Sequence, residues 1–213
     1  MNNDTIISED ALLDGCYHEI GHIISAFLCF PDKKIVQCFG FYKTYNGGYK
    51  FDVRTNLDSI SFHYTQLDLY AIFCLSGGIF QQMVAYLTLH QTGYCDFNEM
   101  ESCIVDSAKA LETFFYRMVQ AKFDGMEHDY DEFEKVKAFI AKQGLPCVID
   151  YEAIKIKAIH LLFPFLFSKK IKDLSETCVQ IIMEKLKRRP LSIEFDMVFL
   201  RPFLLESGVI KEK

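Results

Sequence analysis

Ser8-Glu9-Asp10-Ala11-Leu12-Leu13-Asp14-Gly15-Cys16-Tyr17-His18-Glu19-Ile20-Gly21-His22-Ile23-Ile24-Ser25-Ala26-Phe27-Leu28 is the stretch around which the rest of the chain is read. At about 100° per residue, Leu13, Tyr17, Ile20, Ile24, Phe27 and Leu28 form one broad apolar helical face. His18, Glu19 and His22 fall on the opposite side, among the small residues Ala11, Gly15, Ser25 and Ala26. Ser8 or Asp10 supplies an N-cap, and Phe30-Pro31 ends the helix. Within it, His18-Glu19-Ile20-Gly21-His22 is an H-E-x-x-H motif. Four residues is about one turn, so both imidazoles can reach a single zinc ion. Glu19 lies beside them as a base for a water that the ion activates. The small residues are expected to leave room for an ion and a substrate above the helix. Gly15 and Gly21 each cost a helix roughly 1 kcal/mol against alanine, which points to a packing or access reason for both.

Composition frames this helix. The chain has 213 residues, half of them hydrophobic, with 20 Phe and 11 Tyr, enough for one domain with a sizeable core. A net charge of −6 and the lack of a basic stripe argue against a nucleic-acid partner. The one basic cluster, Lys185-Leu186-Lys187-Arg188-Arg189, reads as the favourable charge at a helix C-terminus. Eight cysteines occur without a C-x-x-C pair, mostly among apolar residues, as reduced core thiols do. Met1-Asn2-Asn3-Asp4 lacks the basic and apolar regions of a signal peptide. The longest apolar stretches, around 71–75 and 159–167, are too short to span a bilayer. The expectation is a soluble, cytoplasmic protein with no membrane span.

The remaining pattern is mainly α with one small β element. Ile35 to Val53 is rich in β-formers and is broken by Asn46-Gly47-Gly48, which predicts a hairpin whose edge could pair with an extended peptide or be purely structural. Helical spacing from Thr65 to Leu89 is interrupted by Ser76-Gly77-Gly78, read as a close approach to the first helix. Further helices are predicted from Asp96 to Val119, from Tyr130 to Gln143 before Gly144-Leu145-Pro146, from Asp150 to Pro164, and from Asp173 to Lys187. A short one near Glu194–Leu200 precedes Arg201-Pro202. No linker divides the chain, so 1–213 reads as one domain: a zinc-bearing core over 1–125 and a helical part over 126–213.

A catalytic zinc needs a third protein ligand and one position for water. Ser25 and Leu28 stand where the longer metzincin motif has glycine and histidine, so the third ligand must be a downstream acid. Asp96 and Glu99 are the candidates, although together they also make a capping box. Asn98-Glu99-Met100-Glu101-Ser102 is similar to the N-E-x-x-S helix of thermolysin-like enzymes, at a longer spacing than theirs. His63, His90, His128 and His160 read as ordinary polar or core residues.

The motifs taken together resemble the peptidase domain of FtsH-type ATP-dependent zinc metalloproteases. That family has H-E-A-G-H in its first helix, then a β segment, then L-G-G-R-A-A-E, and then N-D-L-x-x-A-T. This chain has His18–His22, the hairpin, Leu75-Ser76-Gly77-Gly78-Ile79-Phe80-Gln81-Gln82, and Cys95-Asp96-Phe97-Asn98-Glu99-Met100-Glu101 in the same order. The resemblance implies that His18, His22 and Asp96 bind zinc and that Glu19 is the base, and it favours Asp96 over Glu99. It implies a polypeptide substrate and a ring-shaped homo-oligomer. Ile79 and Gln82 replace the family's Arg and Glu, which puts subunit contacts in doubt. The chain has no G-x-x-x-x-G-K-[ST] loop and no transmembrane helix ahead of the motif, so unfolding would need a separate unfoldase partner. Two functions follow: an ATP-independent zinc metallopeptidase, or a catalytically silent, zinc-stabilised binding module of the same fold.

Overall fold

The computed structural model describes residues 7–31, 35–56, 66–90, 108–120, 127–144 and 150–211. The architecture is mainly α, with a three-stranded antiparallel sheet packed on one side. Helix α1, Glu9–Cys29, is capped by Ser8, whose Oγ accepts a hydrogen bond from the Ala11 amide at 3.2 Å, and it stops two residues before Pro31. Of the two expected caps, Ser8 is the one used.

The structure departs from the open face expected of α1. Leu12, Cys16, Ile23, Ser25 and Ala26 are all fully buried alongside Ile20 and Ile24, so the helix is covered nearly all round. Its small residues serve contact. A Cβ on Gly15 would lie 2.3 Å from the Phe51 ring of the sheet, and one on Gly21 would lie 2.4 Å from the Ser76 carbonyl oxygen. Ser76 belongs to α2, Leu67–His90, which runs unbroken through the double glycine. The predicted close approach is therefore real, and α1 packs more extensively on α2 than on any other described element. By length and composition, Leu67–Thr88 could cross a membrane, but two-thirds of it is buried here, as in the central helix of a core.

Strands β1, Val36–Lys43, and β2, Tyr49–Thr55, form the predicted hairpin, with Gly47 at φ 84° in its turn. Strand β3, Ser192–Asp196, pairs antiparallel on the other side of β1, giving the order β2-β1-β3. Phe39 stacks between Phe51 and Phe195 at 5.8 and 5.3 Å, so the sheet's inner face is a row of rings.

Helix α3, Ala108–Gln120, is the described part of the helix predicted from Asp96; the stretch 91–107 lies outside the described residues. Helix α4, Glu127–Lys142, is followed by Gly144 in a left-handed conformation, φ 65°. Helix α5, Tyr151–Leu162, is capped by Asp150 and gives way to a 3-10 turn at Phe163–Phe165, where Pro164 sits. Helix α6, Lys169–Leu186, begins four residues earlier than predicted. The predicted helix at Glu194–Leu200 is corrected: Ser192–Asp196 is β3, and α7, Met197–Glu206, runs on through Pro202. Ile193 and Phe195 alternate inward with period two, and Asp196 caps α7 through the Phe199 amide at 2.9 Å.

Gly21→Ala should destabilise the fold by about 1–3 kcal/mol in urea unfolding, since the new methyl must push α1 from the α2 backbone. The effect should exceed the helix-propensity gain of about 1 kcal/mol.

Candidate metal centre

The one-turn spacing of His18 and His22 brings their imidazoles together, with ring centroids 5.0 Å apart and Nε2 atoms 3.2 Å apart. Their other nitrogens are both occupied. His22 Nδ1 lies 2.8 Å from the Phe73 carbonyl oxygen, and His18 Nδ1 lies 3.1 Å from Gln81 Oε1, both on α2. Both partners are acceptors, so each Nδ1 is placed to donate, and each Nε2 faces the same space, where its unprotonated form can bind a cation. Asp129, on α4, closes that space. Its Oδ2 lies 3.4 Å from His18 Nε2 and its Oδ1 lies 3.5 Å from His22 Nε2.

Among the described residues, His18, His22 and Asp129 form the one cluster of three metal-ligating side chains, with donor atoms within 4.8 Å of one another. Asp129 Oδ2 is buried and meets His18 Nε2 without the alignment of a hydrogen bond. Two imidazole lone pairs and a buried carboxylate repel unless a positive charge lies between them, so the donor set fits a divalent cation. Gly77 leaves the necessary room. A Cβ there would lie 2.3 Å from His22 Nε2 and 2.8 Å from His18 Nε2.

The electrostatics report the same demand. Burial pulls His22 down, but Asp129, Glu19 and the Phe73 carbonyl outweigh it and push the imidazole up to about 9. Burial raises the Asp129 carboxyl, yet the two imidazoles more than offset this and hold it well below the usual carboxylate range. Glu19 is only 8 % exposed. Burial pushes its carboxyl up, His22 and His18 pull it back, and Asp52 and Asp129 add to the rise.

His18 and His22 lie together, and Glu19, on the same helix, is buried and electrostatically coupled to both. Asp96 and Glu99 lie outside the described residues, and so do His63 and the side chains of His90 and His128. His160 is exposed and stacks on Phe115 at 4.6 Å, away from the cluster. Asp129 was not foreseen: it lies past residue 125, just ahead of the predicted helix start at Tyr130, and no fixed spacing ties it to the histidines. The only sequence signal was an acidic residue near the mouth of a helix. The chain matches no family model, no curated protein and no solved structure.

Elemental analysis of purified variants checks the assignment. Asp129→Ala and Gly77→Ala should each lose stoichiometric zinc while keeping wild-type helical content by circular dichroism. Asp96→Ala, measured in parallel, should keep its zinc if Asp129 is the third ligand.

Proposed function

We propose that this chain is a zinc metallopeptidase that hydrolyses peptide bonds in unfolded or flexible polypeptides without an ATPase of its own. His18 and His22 would hold the ion with Asp129, in the place that the family resemblance gives to Asp96. Zinc, when bound, supplies Lewis acidity, polarising a carbonyl and making water a better nucleophile at neutral pH. Glu19 takes the proton released as water adds to the scissile carbonyl carbon. It returns that proton to the leaving amine as the C–N bond breaks. Gln81 and the Phe73 carbonyl keep both imidazoles oriented through Nδ1.

The observation that carries the reading is the convergence of two Nε2 atoms and a buried carboxylate on one space, with Glu19 buried on the same helix as the histidines. A structural zinc site has no use for Glu19 and usually takes four protein ligands. The absence of disulfides at Cys16, Cys29, Cys38, Cys74 and Cys178 supports a reducing, cytoplasmic setting. A homo-oligomer and a separate unfoldase partner belong to the same proposal.

A second reading, the silent zinc-stabilised module, draws on the low exposure of the site, since His22 and Glu19 are each 8 % exposed. Casein cleavage separates the two. Glu19→Gln should retain zinc and lose cleavage by about 100-fold or more, the scale of a general base. Equal inertness of wild type and variant on several unfolded substrates would favour the module.

A further inference from the structure

Helix α2 presents a stripe of three residues, each four apart, to the two histidines: Phe73, Gly77 and Gln81. Each does a different job. Phe73 offers its backbone carbonyl to His22, Gly77 offers empty space, and Gln81 offers a side-chain oxygen to His18. The asymmetry matters chemically. A backbone carbonyl can only accept, so the His22 tautomer is fixed by the main chain. The Gln81 amide carries both an acceptor and a donor. With Oε1 towards Nδ1, His18 keeps its proton on Nδ1 and leaves Nε2 free for a cation. Turned over, the same amide would offer its NH2 group, Nδ1 would have to accept, and the proton would move to Nε2, facing into the ligand space.

We infer that Gln81 is the positioning residue that holds His18 in the cation-binding tautomer and so sets the metal affinity of the centre. The inference rests on the zinc reading above and names a determinant which that reading does not require. Gln81 touches neither the ion's place nor a substrate; it acts through His18. A single rotation about its last side-chain bond would reverse the orientation of its amide. Asp129 lies 3.4 Å from the same Nε2, and a proton there would be drawn to its carboxylate in the place of a cation. A glutamate at position 81 accepts through either oxygen and cannot be turned over, whereas a leucine of similar size cannot accept at all.

The test uses the full chain, with zinc titrated against a chromophoric chelator and the visible spectrum recorded after loading with cobalt(II). Gln81→Leu should weaken zinc binding by about 10–100-fold, the usual effect of losing the partner of a ligating histidine. It should also shift the cobalt bands. Gln81→Glu should restore wild-type affinity or exceed it, with a wild-type-like spectrum. Wild-type affinity in Gln81→Leu, or an equal loss in Gln81→Glu, overturns the inference while leaving the zinc reading intact. A wild type that binds neither zinc nor cobalt overturns both. Should Gln81→Leu lose its helical circular dichroism, Gln81→Asn takes its place: one methylene short of His18, it should show the same loss, and unchanged affinity in it counts against the inference.

Discussion

The contact between the backbones of α1 and α2 is the constraint on which the rest depends. Gly21 admits the Ser76 carbonyl at a distance that any side chain would forbid, and Gly77 lies beneath the two imidazoles. That proximity places the Phe73 carbonyl within 2.8 Å of His22 and the Gln81 oxygen within 3.1 Å of His18. Were the two helices held apart by ordinary side chains, the histidines would lose both acceptors and turn to solvent or to one another. The sheet works on the opposite flank. Phe51 lies over Gly15, and Phe39, stacked on Phe51 and in turn on Phe195, ties that ring into the core. Close packing along α1 on both flanks fixes the direction in which His18, Glu19 and His22 point.

The second organising force is charge. Buried carboxylates and imidazole lone pairs are costly in a low-dielectric interior unless a cation or a proton lies among them. Here Asp129 is brought into that interior by α4, where its two oxygens face the two imidazoles. The raised His22 and lowered Asp129 affinities for protons are the same demand seen from its two ends. Glu19, deeply buried on the same helix, feels that field through its coupling to both imidazoles.

Much of this was legible in the chain because it depends on short-range spacing. The i, i+4 histidines, the Ser8 cap, the Asn46-Gly47-Gly48 turn and the double glycine at 77–78 are all local patterns with one physical meaning each. What escaped depends on distant partners. Ser192–Asp196 is a strand because β1 has a second edge to satisfy, and five residues carry too short an alternation to announce that. The small residues of α1 suggested open space, whereas Gly15 and Gly21 are small because neighbours press on them. Asp129 joins the histidines through the packing of α4 on α2, which no sequence interval encodes. The choice of Asp96 came from a family's spacing, and that position is outside the described residues.

The location of Asp129 gives α4 an unusual standing in the molecule. Its apolar anchorage is Phe133 in the main core and a small satellite of Val136 and Ile140 against Leu67. Tyr130 and Phe133 also meet the Tyr151 ring of α5, and the Asp129 carboxylate reaches the histidines of a helix far earlier in the chain. Any cation held there acts as a clip that closes a long loop, and its binding free energy becomes docking free energy for α4. A bound cation would thus add to the apolar anchorage of this helix, by an amount set by the ion's free concentration relative to its dissociation constant.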